Sequence, residues 1–515
     1  LVAVLLALRA VSFAMPRDVR TVMGYALFWV GLLGVCGWIA LQRQLPAFWR
    51  WAAVLLAAGS IAVFSQIDIV NDGDARMKGW RWAWQAKPDE SLAIAQATSS
   101  VEWTTTEHDY PGFLGRDYWA EVPDPGFATD WRAQPPELLW QQPIGAGWSA
   151  FAVVGNYAVT QEQRGPQELV TCYEAATGKL VWSHADEVRF DPGDLQGGLG
   201  GVGPRATPTI VGDRIYTQGA TGIINCLRAA DGSVVWSHNP QISGSIPNLT
   251  WAKSNSPLAI EDLGLVIVPV GVATDDTAKL SGSLVAFDAQ TGRVVWQAGD
   301  RVPSYASPVR ATLAGVDQVL AVEENYLTAY ATADGQQLWQ VDWPSSSSGA
   351  AACSQPVPLS GDRVLLTKGY GTGARLVKVE LANDQWSVQT VWSAPVLKTK
   401  FSNVLVRDGY AYGIDDIVLQ CVDIETGKSV WKKRRRPPFG HGQNMLVGDH
   451  IFIISEEGEG ILIEANHAEY VELASLPLIT SEGITWNNPA IAGDLLLVRN
   501  DREAAAYRLP RQPLQ

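Results

Sequence analysis

Eight short segments of this chain carry side chains that could grip a ligand. Arg205 and Lys400 are cations suited to a carboxylate or phosphate, and Trp148 and Trp486 offer indole faces to a planar ring or a sugar. Around them stand Ser149, Ser254, Asn255, Tyr305, Gln355, Asn403, His441, Gln443, Asn444 and Asn487, which supply neutral donors and acceptors. His441 is the one His of six in such a segment. A lone His is more often a hydrogen-bonded neighbour than a general base or metal ligand, so no catalytic residue and no metal ligand is assigned. The set binds rather than reacts. Its competing role is structural: the same groups can satisfy strand ends and channel water.

Each segment leads into an alternating apolar run: FAVVGNYAVT, RATPTIVGDRIYT, NSPLAIEDLGLVIV, ASPVRATLAGVDQVLAV, SQPVPLSGDRVLLT, FSNVLVRDGYAYG, QNMLVGDHIFII and NNPAIAGDLLLV. Period-two alternation makes half-buried strands. Downstream comes a second recurring unit, CYEAATGKLVW, CLRAADGSVVW, AFDAQTGRVVW, AYATADGQQLW and CVDIETGKSVW, in which Trp follows Gly by four residues. Thr-Gly or Asp-Gly supplies the positive φ of a tight hairpin, and the Trp closes the outer strand. Between Gly335 and Gly427 the gap is about two periods, and VKVELANDQWSVQTVW fills it with alternation and a closing Trp but no T-G turn. Four strands per unit at this spacing predict an all-β, eight-bladed β-propeller of four-stranded blades over 134–510. The eighth unit ends at AAAYRLP without a Trp strand, and Leu138-Leu139-Trp140-Gln141 has the form of that strand, which predicts closure between the two ends of the array. The loops leading into the innermost strands would then line a central funnel.

The pattern D-x-x-T-G-x-x-x-W resembles the PQQ-like repeat shared by quinoprotein alcohol dehydrogenases and BamB-like outer-membrane assembly proteins, over about 135–510. DYPGFLGRD, just before it, is similar to a leader found in membrane-anchored members. The resemblance implies pyrroloquinoline quinone and calcium as cofactor, held in the dehydrogenases by adjacent cysteines, a Trp floor and carboxylate and amide ligands. This chain departs from that pattern, because its five Cys include no adjacent pair and Cys172, Cys226 and Cys421 recur at one repeat position where Ala286 and Ala329 stand in others. Separate blades should hold them beyond disulfide reach. The reading is a ligand-binding or protein-interaction scaffold without catalysis. The alternatives are a divergent quinone-dependent dehydrogenase, with Arg205 and Lys400 on the quinone carboxylates, and a BamB-like envelope assembly factor gripping partners by strand addition or rim loops.

The N-terminal end is of another kind. Thr21 to Leu41 is uncharged and long enough to span a bilayer, Trp51 to Ile67 is a second such run, and Leu1 to Ala14 has the character of a truncated third. Arg43 and Arg50 in one connection and the acids after Ile67 predict an inner-membrane anchor with the propeller on the periplasmic side. Between them, 68–133 reads as a linker and leader. A formal net charge of −14 argues against nucleic acid as partner. The exception, Lys432 to Arg436 (KKRRR), could meet anionic lipid or an acidic partner, but a solvated inter-blade loop is the simpler reading. Gly198 to Gly203 fits G-x-G-x-x-G, yet Pro204 and Pro208 follow, where a dinucleotide site needs a helix. Ser345 to Ser348 reads as a flexible loop.

Overall fold

The alternating runs fold as strands, in the order the repeat dictates. A computed structural model describes residues 17–71, 75–93, 99–123, 126–192, 200–240, 246–273, 280–344, 351–480 and 482–511. The chain divides into two units, 1–87 with 192–201, and 88–191 with 202–515. The run 1–14 and the serines 345–348 lie outside the described residues.

In the first unit, two helices, α1 (Arg17–Leu41) and α2 (Ala47–Phe64), hold the two apolar runs. Pro46 precedes the first turn of α2, and the chain leaves the helix at Ser65. Phe28, Val30, Trp38, Trp51 and Leu55 stand exposed along their sides. Such surface suits hydrocarbon rather than water, in which each buried CH₂ is worth about 0.8 kcal/mol. Two strands follow, β1 (Ile67–Asn71) and β2 (Met77–Trp82), paired antiparallel with Ile67 opposite Trp82 and Ile69 opposite Trp80.

The second unit is an eight-bladed propeller. Seven blades are consecutive four-stranded antiparallel sheets at 152–186, 209–238, 258–298, 309–342, 357–394, 405–433 and 443–477. The eighth takes three strands from 490–508 and its outermost from β4 (Glu137–Pro143), with Trp140 opposite Ala506. The ring therefore closes by the strand the sequence singled out.

The recurring hairpin works as a joint between blades. In blade 3, Asp288 Oδ1 accepts the backbone N–H of Gln290 and Thr291 and the Thr291 hydroxyl, and Gly292 takes φ +71°. Each turn glycine also lies under the Trp of the preceding blade. A Cβ on Gly232 would stand 2.5 Å from the Trp182 ring, and one on Gly292 or Gly427 2.6 Å from Trp236 or Trp392. The indole N–H then donates across the seam, Trp182 to Ala229 O at 2.9 Å, Trp392 to Ile424 O at 2.7 Å, and Trp140 of the closing strand to Ala175 O at 2.8 Å. Blade 5 lacks the T-G turn and makes a two-residue hairpin instead, with Asn383 and Asp384 at φ +51° and +61° between strands of ten residues. The facing Trp339 turns to its own blade and donates to Gln318 Oε1 at 2.6 Å.

The leader before β4 is tied to the propeller at several points. Tyr110 and Val153 exchange backbone bonds, Ile210 N–H donates to Pro111 O, and β3 (Glu121–Val122) adds in parallel to the innermost strand of blade 7.

Candidate functional site

The lead-in segments of the eight blades are joined to one another in sequence by hydrogen bonds. Ala150 N–H donates to Thr207 Oγ1 at 3.2 Å, Thr207 N–H to Ser256 Oγ at 2.9 Å, and Ser256 N–H to Ser307 Oγ at 2.8 Å. Gln355 continues in both directions, its Nε2 to Ser307 O at 3.5 Å and its N–H to Asn403 Oδ1 at 2.8 Å. Gln443 Nε2 reaches Phe401 O at 3.0 Å and Trp486 O at 2.8 Å, and Asn487 Nδ2 returns to Ser149 O at 2.8 Å. The bonds form a girdle that crosses all eight seams.

This accounts for much of the polar pattern in the sequence. Ser149, Asn255, Gln355, Asn403, Gln443 and Asn487 are buried and bonded between blades, Asn255 Nδ2 to Ser304 O and Ala306 O. Ser254 Oγ donates to Tyr305 O at 2.8 Å. Asn444 differs: it is buried, yet neither of its amide atoms has a hydrogen-bond partner among the described residues. Buried amides are normally bonded, and Asn444 is the girdle amide with both atoms unpaired among the described residues, whereas Asn255, Gln355, Gln443 and Asn487 leave only their oxygens so.

The remaining residues are an aromatic series and a set of cations. Trp148 and Trp486 lie 4.6 Å apart between ring centroids, Trp486 and Phe401 4.7 Å, and Phe401 and His441 5.5 Å. Trp148, Trp486 and Phe401 are half-buried while His441 is buried, so the run presents faces rather than filling a core. It is fixed below by Trp486 Nε1 donating to the buried Glu456 Oε1 at 2.8 Å. Blades 6, 7, 8 and 1 supply these rings. The cations come from blades 2, 3, 5 and 6. Burial lowers Arg205 to about 10, against the opposing influence of Tyr305 and Glu168. Burial also lowers Lys253 to about 8 and Lys368 to about 7. Lys253 Nζ donates to Val270 O at 2.8 Å and Lys368 Nζ to Trp343 O at 2.6 Å, while Lys400 Nζ stands 5.3 Å over the Tyr370 ring. Tyr305 is raised to about 12, mainly by burial. Glu168 is raised to about 7 by burial, although Ala220 N–H donates to it at 3.0 Å.

Sequence reasoning passed over Glu168, Lys253, Lys368 and Glu456. Glu168 and Lys368 lie within strands rather than in lead-in segments, and the available signal was a charge interrupting an otherwise apolar alternation. KKRRR is largely spent locally: Lys432 pairs with Asp415 at 2.8 Å, Lys433 lies over Tyr470, and Arg435 pairs with Glu459 and Glu472. A cleft of about 1050 Å³ opens beside the leader, lined by Arg116 of the DYPGFLGRD segment and by Tyr118, Trp119, Ile260 and Arg310, but none of the candidate ligand-binding residues lines it.

The donors that a quinone–calcium pair would require are not brought together. Cys172, Cys226 and Cys421 sit free on blades 1, 2 and 6, and Asn255, Asn403 and Asn487 are already bonded across seams. Among the described residues no group of three or more His, Cys, Asp or Glu is placed to hold a metal ion. The residues present do not fit that cofactor.

Comparison with known proteins agrees with the fold. A family model described as outer membrane protein assembly factor BamB matches 129–299 and 167–433, together more than half of the chain. The chain is 25% identical over 316 residues to BamB of Burkholderia pseudomallei, covering 53% of this chain and 79% of that protein. It is 22% identical over 269 residues to the dehydrogenase subunit of a quinone-type alcohol dehydrogenase of Komagataeibacter europaeus, covering 50% of this chain and 32% of that one. The chain thus spans about a third of the length of that dehydrogenase subunit. The crystal structure of BamB from Moraxella catarrhalis superposes with a TM-score of 0.50 at 14% identity, over 73% of this chain and all of that one. These matches correct the inner-membrane placement, since the family and the Burkholderia relative are both described as outer membrane assembly factors. The charge argument had rested on Arg43 and Arg50, and Arg50 has a local task, its Nε donating to Ala40 O at 3.0 Å near the end of α1.

Proposed function

Since the chain belongs to the PQQ-repeat propeller family described as outer membrane protein assembly factor BamB, we propose that it is a membrane-anchored interaction scaffold, associated with the outer membrane as those relatives are described. The propeller offers its aromatic run to a segment of an envelope protein. The observation that carries this reading is the contiguous series Trp148, Trp486, Phe401 and His441, mounted on a closed hydrogen-bond girdle. Half-buried Trp and neighbouring cations are the composition of binding hot spots, and a rigid mount lowers the ordering cost of association. Lys400, next to Phe401, favours an acidic residue in the bound segment.

The test is site-specific photo-crosslinking in membranes from cells expressing the full chain, with a photoreactive phenylalanine at Phe401. The expected result is one discrete protein adduct, lost when Trp486→Ala is added. A hot-spot indole is worth about 2 kcal/mol or more, roughly a 30-fold loss of affinity. Saturable binding of pyrroloquinoline quinone with calcium, followed by dye-linked alcohol oxidation, would overturn the reading and make the chain an enzyme.

A further inference from the structure

The hairpin that follows α2 has an amphipathic construction that neither the propeller nor the spans require. On one face Ile67 and Ile69 stand opposite Trp82 and Trp80, and on the other Asp68 is opposite Arg81 and ion-paired with it. Trp84, just beyond β2, stacks on Trp82 with ring centroids 4.7 Å apart and planes 8° from parallel, while Trp80 meets Trp82 edge-on at 5.3 Å. The aromatic surface is open: Trp80 is 54% exposed, Trp84 66% and Met77 56%.

Two connections fix where this face lies. At one end, β1 begins at Ile67, three residues after α2 ends at Phe64. At the other, Met77 N–H donates to Tyr25 Oη at 3.1 Å, and Tyr25 is in the third turn of α1. The end of α2 meets α1 one turn further on, where Trp29 and Phe64 are in edge contact at 4.7 Å. A five-residue strand spans roughly 13–17 Å, more than the 8–10 Å between packed helix axes. The hairpin therefore bridges from the end of α2 to the N-terminal third of α1, one turn inside the start of its uncharged run at Thr21, and so lies where a spanning pair meets the headgroup layer.

We propose that this hairpin is an interfacial seat: Trp80, Trp82 and Trp84 insert into the boundary between headgroups and acyl chains of the membrane that α1 and α2 cross. Trp is enriched at that depth because its ring is apolar and its N–H stays hydrated. The occupant is lipid rather than protein, because the exposed indoles belong to the same unit as the exposed apolar sides of α1 and α2 and are tied to them by the bond from Met77 to Tyr25. The inference rests on the reading of α1 and α2 as spans.

The experiment uses the full chain reconstituted into phosphatidylcholine vesicles whose acyl chains carry bromine at a shallow position. Seven Trp belong to the anchor, Trp29, Trp38, Trp49 and Trp51 in the helices and Trp80, Trp82 and Trp84 after them. If all seven are accessible to lipid, W80F/W82F/W84F removes about three-sevenths of the quenchable emission, and W84F alone, outside the strands, about one-seventh. Equal quenching of wild type and both variants would overturn the proposal. Failure of the anchor itself is distinguishable, because the helix Trp would then lose quenching in every preparation.

Discussion

Replacing Gly232 by Ala tests whether the repeat is a joint between blades or only a turn. Gly232 has φ +70°, and in that region Ala costs about 1–2 kcal/mol, part of which is offset by the lower chain entropy of unfolded Ala. The new Cβ would also stand 2.5 Å from Trp182 Cε3. Trp182 is fully buried and held by its bond to Ala229 O, so the ring cannot retreat, and overpacking of this kind adds about 1–3 kcal/mol. The total is about 2–4 kcal/mol. Gly212 is the control: its φ is +55°, but nothing lies within 4 Å of the added atom, so G212A should cost only about 1 kcal/mol. Urea unfolding followed by far-UV circular dichroism compares the two. In a W182L background the excess for G232A should shrink, as a shared contact requires. Equal costs for G232A and G212A would refute the joint.

Other outcomes follow from the same structure. Asp384→Gly should raise the unfolding midpoint by about 0.5–1 kcal/mol equivalent, because the hairpin of blade 5 holds Asp384 at φ +61°; a lower midpoint would count against the assigned turn. Arg499→Met should cost about 3–5 kcal/mol and speed hydrogen exchange in β4, since Arg499 of blade 8 is 1% exposed and donates to Thr160 Oγ1 at 2.7 Å and Gly145 O at 2.9 Å of the blade 1 side. Glu168 gives a pH signature. Its folded value of about 7 lies above the ordinary 4.5, so between those values the folded state holds a proton that the unfolded state has released. Its contribution is fully present below pH 4.5 and is lost as pH rises through 7. The difference in stability between wild type and Glu168→Gln should therefore move against the wild type over that window, and a flat difference would contradict the burial of this carboxyl.

The propeller was legible because each blade repeats two signals whose physics is local, alternation and a positive-φ turn before Trp. Closure through Leu138 to Gln141 was legible because the eighth unit lacks a strand and the array has one to spare before its first blade. The second duty of the turn glycine was not, since it concerns a Trp one blade earlier, 35 to 56 residues away in sequence. The site was legible as a list but not as a division of labour. Asn403 and Asn444 look alike in sequence; one accepts a backbone N–H from the neighbouring blade and the other has neither amide atom bonded among the described residues. Glu168 and Lys368 escaped because their environment is set by neighbouring elements, which no local pattern records. The hairpin β1–β2 escaped for a related reason: two short strands carry too little alternation to be read without the helices they are tied to.

In a ring of eight similar blades, a feature repeated in most of them is explained by the ring, and function must be sought where the symmetry breaks. The girdle is such a repeated feature: small polar groups bridge each seam, whatever the blade. The rings of Trp148, Trp486, Phe401 and His441 break it, since they come from four consecutive blades and touch in series, while Arg205, Lys253 and Lys368 belong to blades 2, 3 and 5. Burial has lowered Lys253 to about 8 and Lys368 to about 7, whereas Arg205, at about 10, keeps its charge, so an anion that meets Lys368 would restore its proton and bind more tightly as pH falls through about 7. An apolar residue laid on the aromatic series gains little from pH. A bound segment with an aromatic or aliphatic anchor and an acidic neighbour should therefore lose affinity in two separable ways, by Trp486→Ala at every pH and by Lys368→Met with a flattened pH profile. Identical pH profiles for the wild type and Lys368→Met would show that Lys368 takes no part in binding.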